Sequence, residues 1–189
     1  MVTPECTLVI LKPDTVQRAI VGQIISRFEQ KGFRIAGMRM LNPTSEKLGI
    51  HYADDLVWKK SVGAKTREKM SSRGIAIKES DEEIGARIRE WNMKGLQAPV
   101  IAIVFEGYHA VELGRKIVGD TEPRSALPGT IRGDFSTDSY DKADEDKRVV
   151  RGLVHASGSV KEAEREIKVW FKDEELFDYP RHDWAIMHG

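Results

Sequence analysis

The sequence predicts a single α/β domain in which short β-strands alternate with α-helices. Four apolar or alternating runs are typical of strands, at residues 6–11, 33–41, 100–105 and 149–155. Segments with apolar residues at helical spacing separate these runs. The resulting order of β-α-β-α-β-α-β-α indicates an α/β or split-βαβ domain. A length of 189 residues suits one such domain with a core of ordinary size.

The first half of the chain contains two strands, each followed by a helix. Residues 6–11 are apolar at nearly every position, which favours a strand buried on both faces, and residues 12–14 end it with Lys-Pro-Asp. Helical spacing over residues 20–28 predicts the first helix. The alternation over residues 33–41 predicts a second strand with an irregularity near its glycine. Residues 43–52 then predict a short helix that begins with Pro-Thr-Ser-Glu.

The second half repeats this order. Residues 100–105 predict a third strand, and residues 110–118 predict a helix that ends at the following glycine. Residues 120–147 are rich in Pro, Gly and Asp, which predicts a long loop. After the fourth strand at 149–155, a Ser-x-x-Glu capping box predicts a helix over residues 159–171.

Two stretches look like additions to this α/β frame. Residues 53–98 are polar and largely helical in pattern, with a second capping box at Ser80 and Glu83. Residues 138–147 have almost nothing apolar to bury, which predicts a solvated loop. No repeat or low-complexity linker divides the chain. We therefore predict one domain that carries a helical insertion and a loop insertion.

The composition restricts the classes of function. Lys and Arg together number 30, as do Asp and Glu, so the formal net charge is zero. This balance argues against broad binding of nucleic acid or of anionic membranes. Cys6 is the only cysteine, so an intrachain disulfide is excluded. With no leader-like start and no run of 18 apolar residues, the sequence predicts a cytoplasmic protein without a membrane span.

His155 is the strongest candidate for a nucleophile. It ends the fourth predicted strand and is followed by the small residues Ala-Ser-Gly-Ser. A neutral imidazole in such an open position is a competent nucleophile near pH 7. Glu166 lies seven residues after Ser159, about two helical turns, so its carboxylate could reach the ring. The alternatives are an ordinary histidine at a strand end and an exposed carboxylate in a charged helix.

Several basic and hydroxyl side chains could bind a polyphosphate. Arg132 lies between two glycines, which leaves its guanidinium open to phosphate oxygens, and Asp134 would hold the loop in place. Lys12 follows the first strand directly, where a ligand crevice is common. Arg115 and Thr121 lie at the end of a predicted helix and just beyond it. For each of these residues a plain surface position is the alternative.

Seven runs, taken together and in order, resemble the nucleoside diphosphate kinase family. They are residues 7–14, 21–29, His51-Tyr52, 128–135, Val154-His155 with Ser157 and Ser159, 163–167 and 175–179. Any one of these runs is a weak signal. Seven of them in the right order, with matching gaps outside the two insertions, identify the chain as a member of that family.

The resemblance implies a fold and a reaction. The fold is a ferredoxin-like βαββαβ sandwich of the α+β type, with a four-stranded antiparallel sheet and helices on its faces. From the strand and helix pattern alone, this sandwich is one of several possibilities. The reaction is ping-pong transfer of a γ-phosphoryl group from a nucleoside triphosphate to a nucleoside diphosphate. Mg²⁺ accompanies the nucleotide, bound mainly by phosphate oxygens and water. The family forms homo-oligomers, with a hexamer favoured and a tetramer possible.

The resemblance also implies roles for individual residues. His155 matches the phosphorylated histidine, Glu166 the carboxylate that orients it, and Tyr52 a tyrosine close to the ring. The positions that match donors to the nucleotide phosphates are Lys12, Arg115, Thr121 and Arg132. Lys12 also matches a lysine that bridges toward the ribose.

Two departures from the family affect the nucleotide site. The family stacks a phenylalanine on the base, but Lys59-Lys60 or Arg87 falls at that place, depending on the side from which one counts. Trp58 and Trp91 are possible substitutes, although packing is the more frequent role for such residues. Gly152 replaces an asparagine that contacts the sugar and phosphate region, so one polar contact of the nucleotide-binding site is lost or supplied from elsewhere.

Three other functions compete with a kinase of broad specificity. A changed stacking residue would suit an enzyme with a restricted base preference. A family member without catalysis would serve as an interaction protein, but it would have no reason to keep all seven matching residues. An RNA-binding module needs exposed aromatic residues on its central strands and a basic face. Because the strands at 6–11 and 149–155 have no aromatic residue and the net charge is zero, we reject that reading.

Overall fold

Four strands form one antiparallel sheet in the computed structural model, which describes residues 3–72 and 74–188. The strand order is β2-β3-β1-β4, and every neighbouring pair is antiparallel. The strands are β1 (Glu5–Leu11), β2 (Arg34–Leu41), β3 (Val100–Gly107) and β4 (Val154–Ala156). This architecture confirms the four-stranded antiparallel sheet of the ferredoxin-like sandwich.

Ten helices accompany the sheet in the described part of the chain. They are α1 (Pro13–Gln17), α2 (Val21–Gln30), α3 (Ser45–His51), α4 (Leu56–Ser71), α5 (Asp81–Lys94), α6 (Ala110–Val118), α7 (Ile131–Phe135), α8 (Tyr140–Glu145), α9 (Val160–Trp170) and α10 (Trp184–His188). None of these helices is long and apolar enough to cross a membrane. Residues 1–2, 73 and 189, which belong to the predicted start, first insertion and tail, lie outside the described residues.

Helices cover both faces of the sheet, as the apolar first strand predicts. Alternate residues of β1 point to opposite faces, so Val9 packs with α2 and α6 while Leu8 packs with α3 and α9. On the first face, Phe28 stacks on Phe105 with ring centroids 4.4 Å apart. Such a pair contributes about 0.5–1.5 kcal/mol beyond its buried area. β1 is therefore a rigid central strand, and its last residues fix the position of Lys12.

Local sequence signals correctly predict several details of the helices and strands. α6 covers residues 110–118 as predicted, and Gly119 ends it with a φ of 88° that favours glycine. The irregularity predicted in β2 is a shift in its pairing with β3 between Ile35 and Gly37. Ser159 caps α9 by accepting the Glu162 amide, but the Glu162 carboxylate accepts the amide of Gly158 rather than that of Ser159. The capping box is thus displaced by one residue.

Two predictions about irregular regions are wrong. The stretch 120–147 is not a plain loop, because it contains α7 and α8, and α8 buries the side chain of Ala143. The fourth strand begins only at Val154. The apolar residues before it form an irregular segment instead. In this segment Leu153 has a φ of 64°, and the Val154 amide donates to the Gly152 carbonyl at 2.6 Å. Burial of the apolar side chains in that segment produces the strand-like pattern.

The first insertion folds as a helical hairpin of α4 and α5. Ser80 caps α5 through the predicted capping box. Two glycines allow the helices to approach closely, because a Cβ at Gly63 would overlap the backbone of Asp81, and one at Gly85 would overlap the backbone of Lys59. The hairpin is therefore a tightly packed unit.

Candidate functional site

A cleft of about 530 Å³ lies beside the carboxyl end of β1. Eight of the positions singled out in the sequence line it: Lys12, Tyr52, Arg115, Thr121, Arg132, Gly152, His155 and Glu166. They come from distant parts of the chain, so the antiparallel sheet and the helices on its two faces bring them together. The cleft also contacts the first insertion through α4 and α5.

His155 and Glu166 are in direct contact. His155 Nε2 lies 3.0 Å from Glu166 Oε1, and Glu166 Oε2 accepts the hydroxyl proton of Ser157 at 2.6 Å. Burial opposes ionisation of this carboxyl, but the bonds and charges of His155, His51 and Ser157 lower the pKa of Glu166 below its usual value. An ionised Glu166 requires a proton on Nε2, which leaves the lone pair of the ring on Nδ1.

His51 is a component of the site that we did not assign from the sequence, although it precedes Tyr52 in the matching His-Tyr pair. Its ring packs edge-on against His155 with centroids 4.7 Å apart. Its Nδ1 accepts the indole N–H of Trp170 at 3.2 Å. Burial, followed by the charge of His155, lowers the pKa of His51 to about 3. His51 is thus a neutral wall that fixes the plane of the catalytic candidate.

The ligand atoms of His51, His155 and Glu166 lie within 4.8 Å of one another, which is close enough for a metal site. Each of the three side chains is already hydrogen-bonded, the first by Trp170 and the other two by each other. His51 Nδ1, His155 Nε2 and Glu166 Oε1 would have to give up these bonds to hold a metal ion, whereas His51 Nε2 is buried without a hydrogen-bond partner in the described structure. The bonds that are present orient the His155 ring.

Tyr52 closes one side of the same cluster. Its ring centroid lies 6.3 Å from that of His155 and 4.5 Å from that of His51. Burial and then the charge of Glu166 raise the pKa of the Tyr52 phenol, so the group is a neutral hydrogen-bond donor at physiological pH. The predicted position close to the histidine ring is what the structure shows.

Lys12 is a half-buried cation at the end of β1. Its amide donates to the Leu153 carbonyl at 2.8 Å, which joins β1 to the segment before β4. Burial, followed by the charge of Arg132, lowers the pKa of Lys12 to about 8. No carboxylate in the described part of the chain forms an ion pair with its ammonium group. A bound anion would supply that missing partner.

Arg132 is less open than we expected from the flanking glycines. Only 9% of it is exposed, and its guanidinium donates to the backbone carbonyls of Gly119, Asp120, Gly152 and Val154. These bonds use four of its five N–H groups and leave one for the cleft. Burial lowers the pKa of Arg132 to about 10. Arg132 thus lines the cleft as a cation and also holds the surrounding backbone segments together. Its carbonyl partners are distant in the sequence, so no local pattern reveals them.

The remaining predicted positions lie at the rim. Arg115 and Thr121 are exposed, and Arg115 Nη1 is 4.0 Å from where a Cβ on Gly158 would sit. Arg115 thus faces the start of α9. Gly152 takes part through its backbone carbonyl, and a Cβ there would approach Arg132 Nε to 3.1 Å. The side-chain contact of the family's asparagine is absent at this position.

Trp58 is the stacking candidate that the structure places in the cleft. It lines the cleft together with Val149 and Asn92. Trp91 instead lines two neighbouring cavities and packs against the guanidinium of Arg87, 4.8 Å from the ring centroid. The sequence offers both tryptophans as possible stacking residues, and only Trp58 lies in this cleft.

The charges of the cleft suit a polyphosphate better than a bare metal ion. Its cationic side chains are Lys12, Arg115, Arg132 and Arg165, and its carboxylates are Asp55, Glu162 and Glu166. Each carboxylate already accepts a hydrogen bond from a backbone amide or a side chain. Among the described residues there is thus no open carboxylate cage for a divalent cation. The donor set fits a nucleotide that carries Mg²⁺ on its own phosphate oxygens.

Comparisons with known proteins match the sequence and the fold to one family. The sequence model of the family "Nucleoside diphosphate kinase" matches residues 5–84 and 88–176. The nucleoside diphosphate kinase of Pyrobaculum aerophilum is 44% identical over 180 residues, covering 92% of this chain and 98% of that protein. Nucleoside diphosphate kinase B of Homo sapiens is 39% identical over 187 residues, covering 98% of this chain and 99% of that protein.

Two solved structures are similar to the whole fold. The crystal structure of an NDP kinase from Pyrobaculum aerophilum has a TM-score of 0.89 at 43% identity, covering 93% of this chain and 100% of that chain. The Borrelia burgdorferi enzyme, described as a transition-state mimic with bound vanadate and ADP, has a TM-score of 0.79 at 33% identity, covering 97% and 96%. The chain therefore belongs to the nucleoside diphosphate kinase family, the phosphotransferases that pass a phosphoryl group from a nucleoside triphosphate to a nucleoside diphosphate.

Proposed function

We propose that His155 carries the phosphoryl group between the two nucleotides as a covalent intermediate. The observation that supports this most is the 3.0 Å contact of His155 Nε2 with the buried Glu166, which leaves the lone pair on Nδ1. In the first half-reaction, Nδ1 attacks the γ-phosphorus, and the bond to the bridging oxygen breaks with its electrons passing to the nucleoside diphosphate. In the second, a terminal oxygen of another nucleoside diphosphate attacks the same phosphorus and the Nδ1 bond breaks.

Glu166 stabilises the intermediate electrostatically in this proposal. Phosphorylation of Nδ1 places positive charge on a ring that keeps its Nε2 proton. The ionised carboxylate accepts that proton in a hydrogen bond and offsets the charge, without taking the proton itself. The hydroxyl of Ser157, 2.6 Å from the other carboxylate oxygen, fixes its orientation.

The cationic wall binds the phosphates. Lys12, Arg115 and the free N–H of Arg132 would hold the polyphosphate, and Thr121 would add a hydroxyl donor. Positioned cations suit this reaction because negative charge spreads over the transferred group. Bound with the nucleotide, Mg²⁺ would further neutralise charge on the β- and γ-phosphate oxygens.

Trp58 supplies the stacking surface for the base in this proposal. It lines the cleft, and stacking on an aromatic ring tolerates every base. Broad specificity is the expected result. One observation favours a restricted preference as the second candidate function. The side-chain amide of Asn92 lines the same cleft and has no hydrogen-bond partner among residues 3–72 and 74–188, so it is free to contact a base edge.

We also propose that the chain acts as a single domain in a homo-oligomer, with a hexamer favoured and a tetramer possible. β2 is an edge strand, and its Met38 and Met40 are 55% and 62% exposed. The tail covers the first half of this edge, since the Phe177 amide donates to the Ala36 carbonyl at 2.7 Å. The part that carries the exposed methionines is a suitable surface for a second copy. A reducing cytoplasm is the location that fits the single cysteine, whose pKa is raised to about 11 by burial and by Glu106.

The covalent intermediate is tested by labelling. The protein is incubated with γ-labelled ATP and Mg²⁺, and the label is assayed for acid lability and base stability. It is then chased onto CDP, UDP and GDP. We expect transfer to all three acceptors, loss of labelling in His155→Ala, and no change in His182→Ala, a matched control at an exposed histidine. Transfer to one acceptor only would favour the restricted enzyme, and an unlabelled wild-type protein would refute the intermediate.

A further inference from the structure

The two insertions meet at one buried carboxylate, that of Glu122, beside the nucleotide cleft. Lys69, near the end of α4, places its ammonium 3.1 Å from Glu122 Oε2. Tyr140, the first residue of α8, donates its backbone amide to Glu122 Oε1 at 3.0 Å. The Lys69 ammonium also lies 3.7 Å from the centroid of the Tyr140 ring. We call these three residues the clasp.

The clasp has the features of a specific contact rather than of a surface ion pair. Glu122 is only 6% exposed, so its charge is largely removed from water. Burial alone would raise the pKa of Glu122, but the Tyr140 amide and Lys69 lower it, so the carboxyl is ionised at neutral pH. A buried carboxylate of this kind depends on its partners, because it loses much of its compensation when one is removed. Arg124 is a second, more exposed cation at 3.2 Å.

Glu122 directly follows Thr121, which lines the cleft. The segment before it is held from the other side, because Arg132 donates to the carbonyls of Gly119 and Asp120. Asp120 in turn accepts the Glu122 amide at 2.9 Å. The rim segment that presents Thr121 therefore lies between two anchors, Arg132 on the side of the sheet and the clasp on the side of the insertions.

We propose that Lys69 and Glu122 are positioning residues that hold this rim segment in its nucleotide-binding conformation, and that both insertions serve this contact. The inference rests on the proposed function in one respect, namely that the cleft binds the phosphates of a nucleotide. A fixed rim does not have to be ordered when the nucleotide arrives, so the clasp lowers the cost of binding. It makes no contact with His155, so it acts on nucleotide affinity rather than on the chemical step.

Lys69→Met tests the proposal because methionine keeps most of the length of the side chain without its charge. Arg124 still compensates Glu122 in part, so we expect the dissociation constant for ADP and the KM for ATP to rise about three- to tenfold, with kcat within about twofold. Lys69→Arg restores the charge and should recover most of the affinity. Lys94→Met is the matched control, since Lys94 belongs to the same hairpin and forms an exposed pair with Glu90.

A double-mutant cycle with Glu122→Gln shows whether the effect passes through this contact. We expect the ADP affinity of the Lys69→Met, Glu122→Gln double variant to be close to that of Glu122→Gln alone. Additive losses would mean that Lys69 acts elsewhere. Unchanged ADP affinity in Lys69→Met, with a lower melting temperature alone, would show that the clasp only stabilises the fold and would overturn the proposal.

Phosphoramidate, a phosphoryl donor without a nucleotide, separates positioning from chemistry. We expect Lys69→Met to phosphorylate His155 from phosphoramidate at the wild-type rate. A loss as large as that seen with ATP would contradict a role confined to nucleotide binding. The ADP titration stands without any turnover, so a failure of the histidine intermediate and a failure of the clasp give different results.

Discussion

At the scale of single residues, the proposed mechanism has the charge of one buried carboxylate decide which nitrogen of His155 reacts. Glu166 holds Nε2 at 3.0 Å and is itself held by Ser157. The rings of His51 and Tyr52 pack around His155. Burial lowers the pKa of His51 and raises the pKa of Tyr52. The two rings in contact with His155 are therefore neutral, whereas Glu166 is ionised and has Arg165 as a charged neighbour at 3.9 Å.

Glu166→Gln should retain the hydrogen-bonding shape of this pair and remove its charge. We expect kcat to fall roughly 10- to 100-fold, since a hydrogen bond to a charged group contributes about 1.5–3 kcal/mol. Burst labelling by γ-labelled ATP measures the phosphorylation step directly. Glu164→Gln, an exposed change on the same helix, is the control. Equal kinetics in the two variants would show that the carboxylate charge has no part in the reaction.

Lys12 gives the reaction a measurable pH dependence. Because burial and Arg132 lower its pKa to about 8, the ammonium of the free protein loses its proton as the pH rises through that value. A bound polyphosphate favours the charged form, so ADP binding at about pH 9 should take up a substantial part of one proton. Calorimetry in two buffers of different ionisation enthalpy measures this uptake. Lys12→Arg stays charged, and uptake that persisted in it would assign the proton to another group.

At the scale of elements, close packing of α4 against α5 makes the hairpin a fixed wall. Gly85→Ala would push a methyl group into the backbone of Lys59, so we expect a loss of about 1–3 kcal/mol of stability. Gly22→Ala has open space around its new Cβ and should be neutral or stabilising by up to about 1 kcal/mol. Thermal unfolding compares the two variants. A Gly85→Ala protein as stable as Gly22→Ala would refute the close approach.

Prediction from sequence was good for elements with a full local signal. α6 has helical spacing over nine residues and a glycine stop, and its bounds were predicted correctly. The helices α7 and α8 span five and six residues, too few to show a helical period, and were missed within a predicted loop. The apolar run before β4 has the pattern of a strand because burial alone produces the same pattern.

In the site too, contacts that follow from local sequence were predictable, and contacts between distant segments were not. The approach of Glu166 to His155 follows from helix geometry counted from Ser159, so it was predictable. The bracing of Arg132 by the Gly119 and Gly152 carbonyls depends on three segments meeting in space. The contact of Trp170 with His51 is of the same kind, since no local signal connects residues 119 positions apart.

At the scale of the whole molecule, the exposed methionines of β2 should mediate assembly. Met40→Glu places a charge among the exposed methionines and should shift the oligomer toward smaller species, because an apolar contact would have to bury that charge. Light scattering coupled to size exclusion gives the mass. Ile75→Glu, at a residue that is 51% exposed in the hairpin, serves as the control. An unchanged mass in Met40→Glu would place the interface elsewhere.

The account as a whole depends on the identity of the reacting nitrogen. The protein is phosphorylated with ATP and Mg²⁺, digested in alkali, and the phosphohistidine isomer is identified by ³¹P NMR against both standards. Since Glu166 holds the proton on Nε2, we predict phosphate on Nδ1 of His155. Phosphate on Nε2 would contradict the account, because that nitrogen could react only after its contact with Glu166 had been broken.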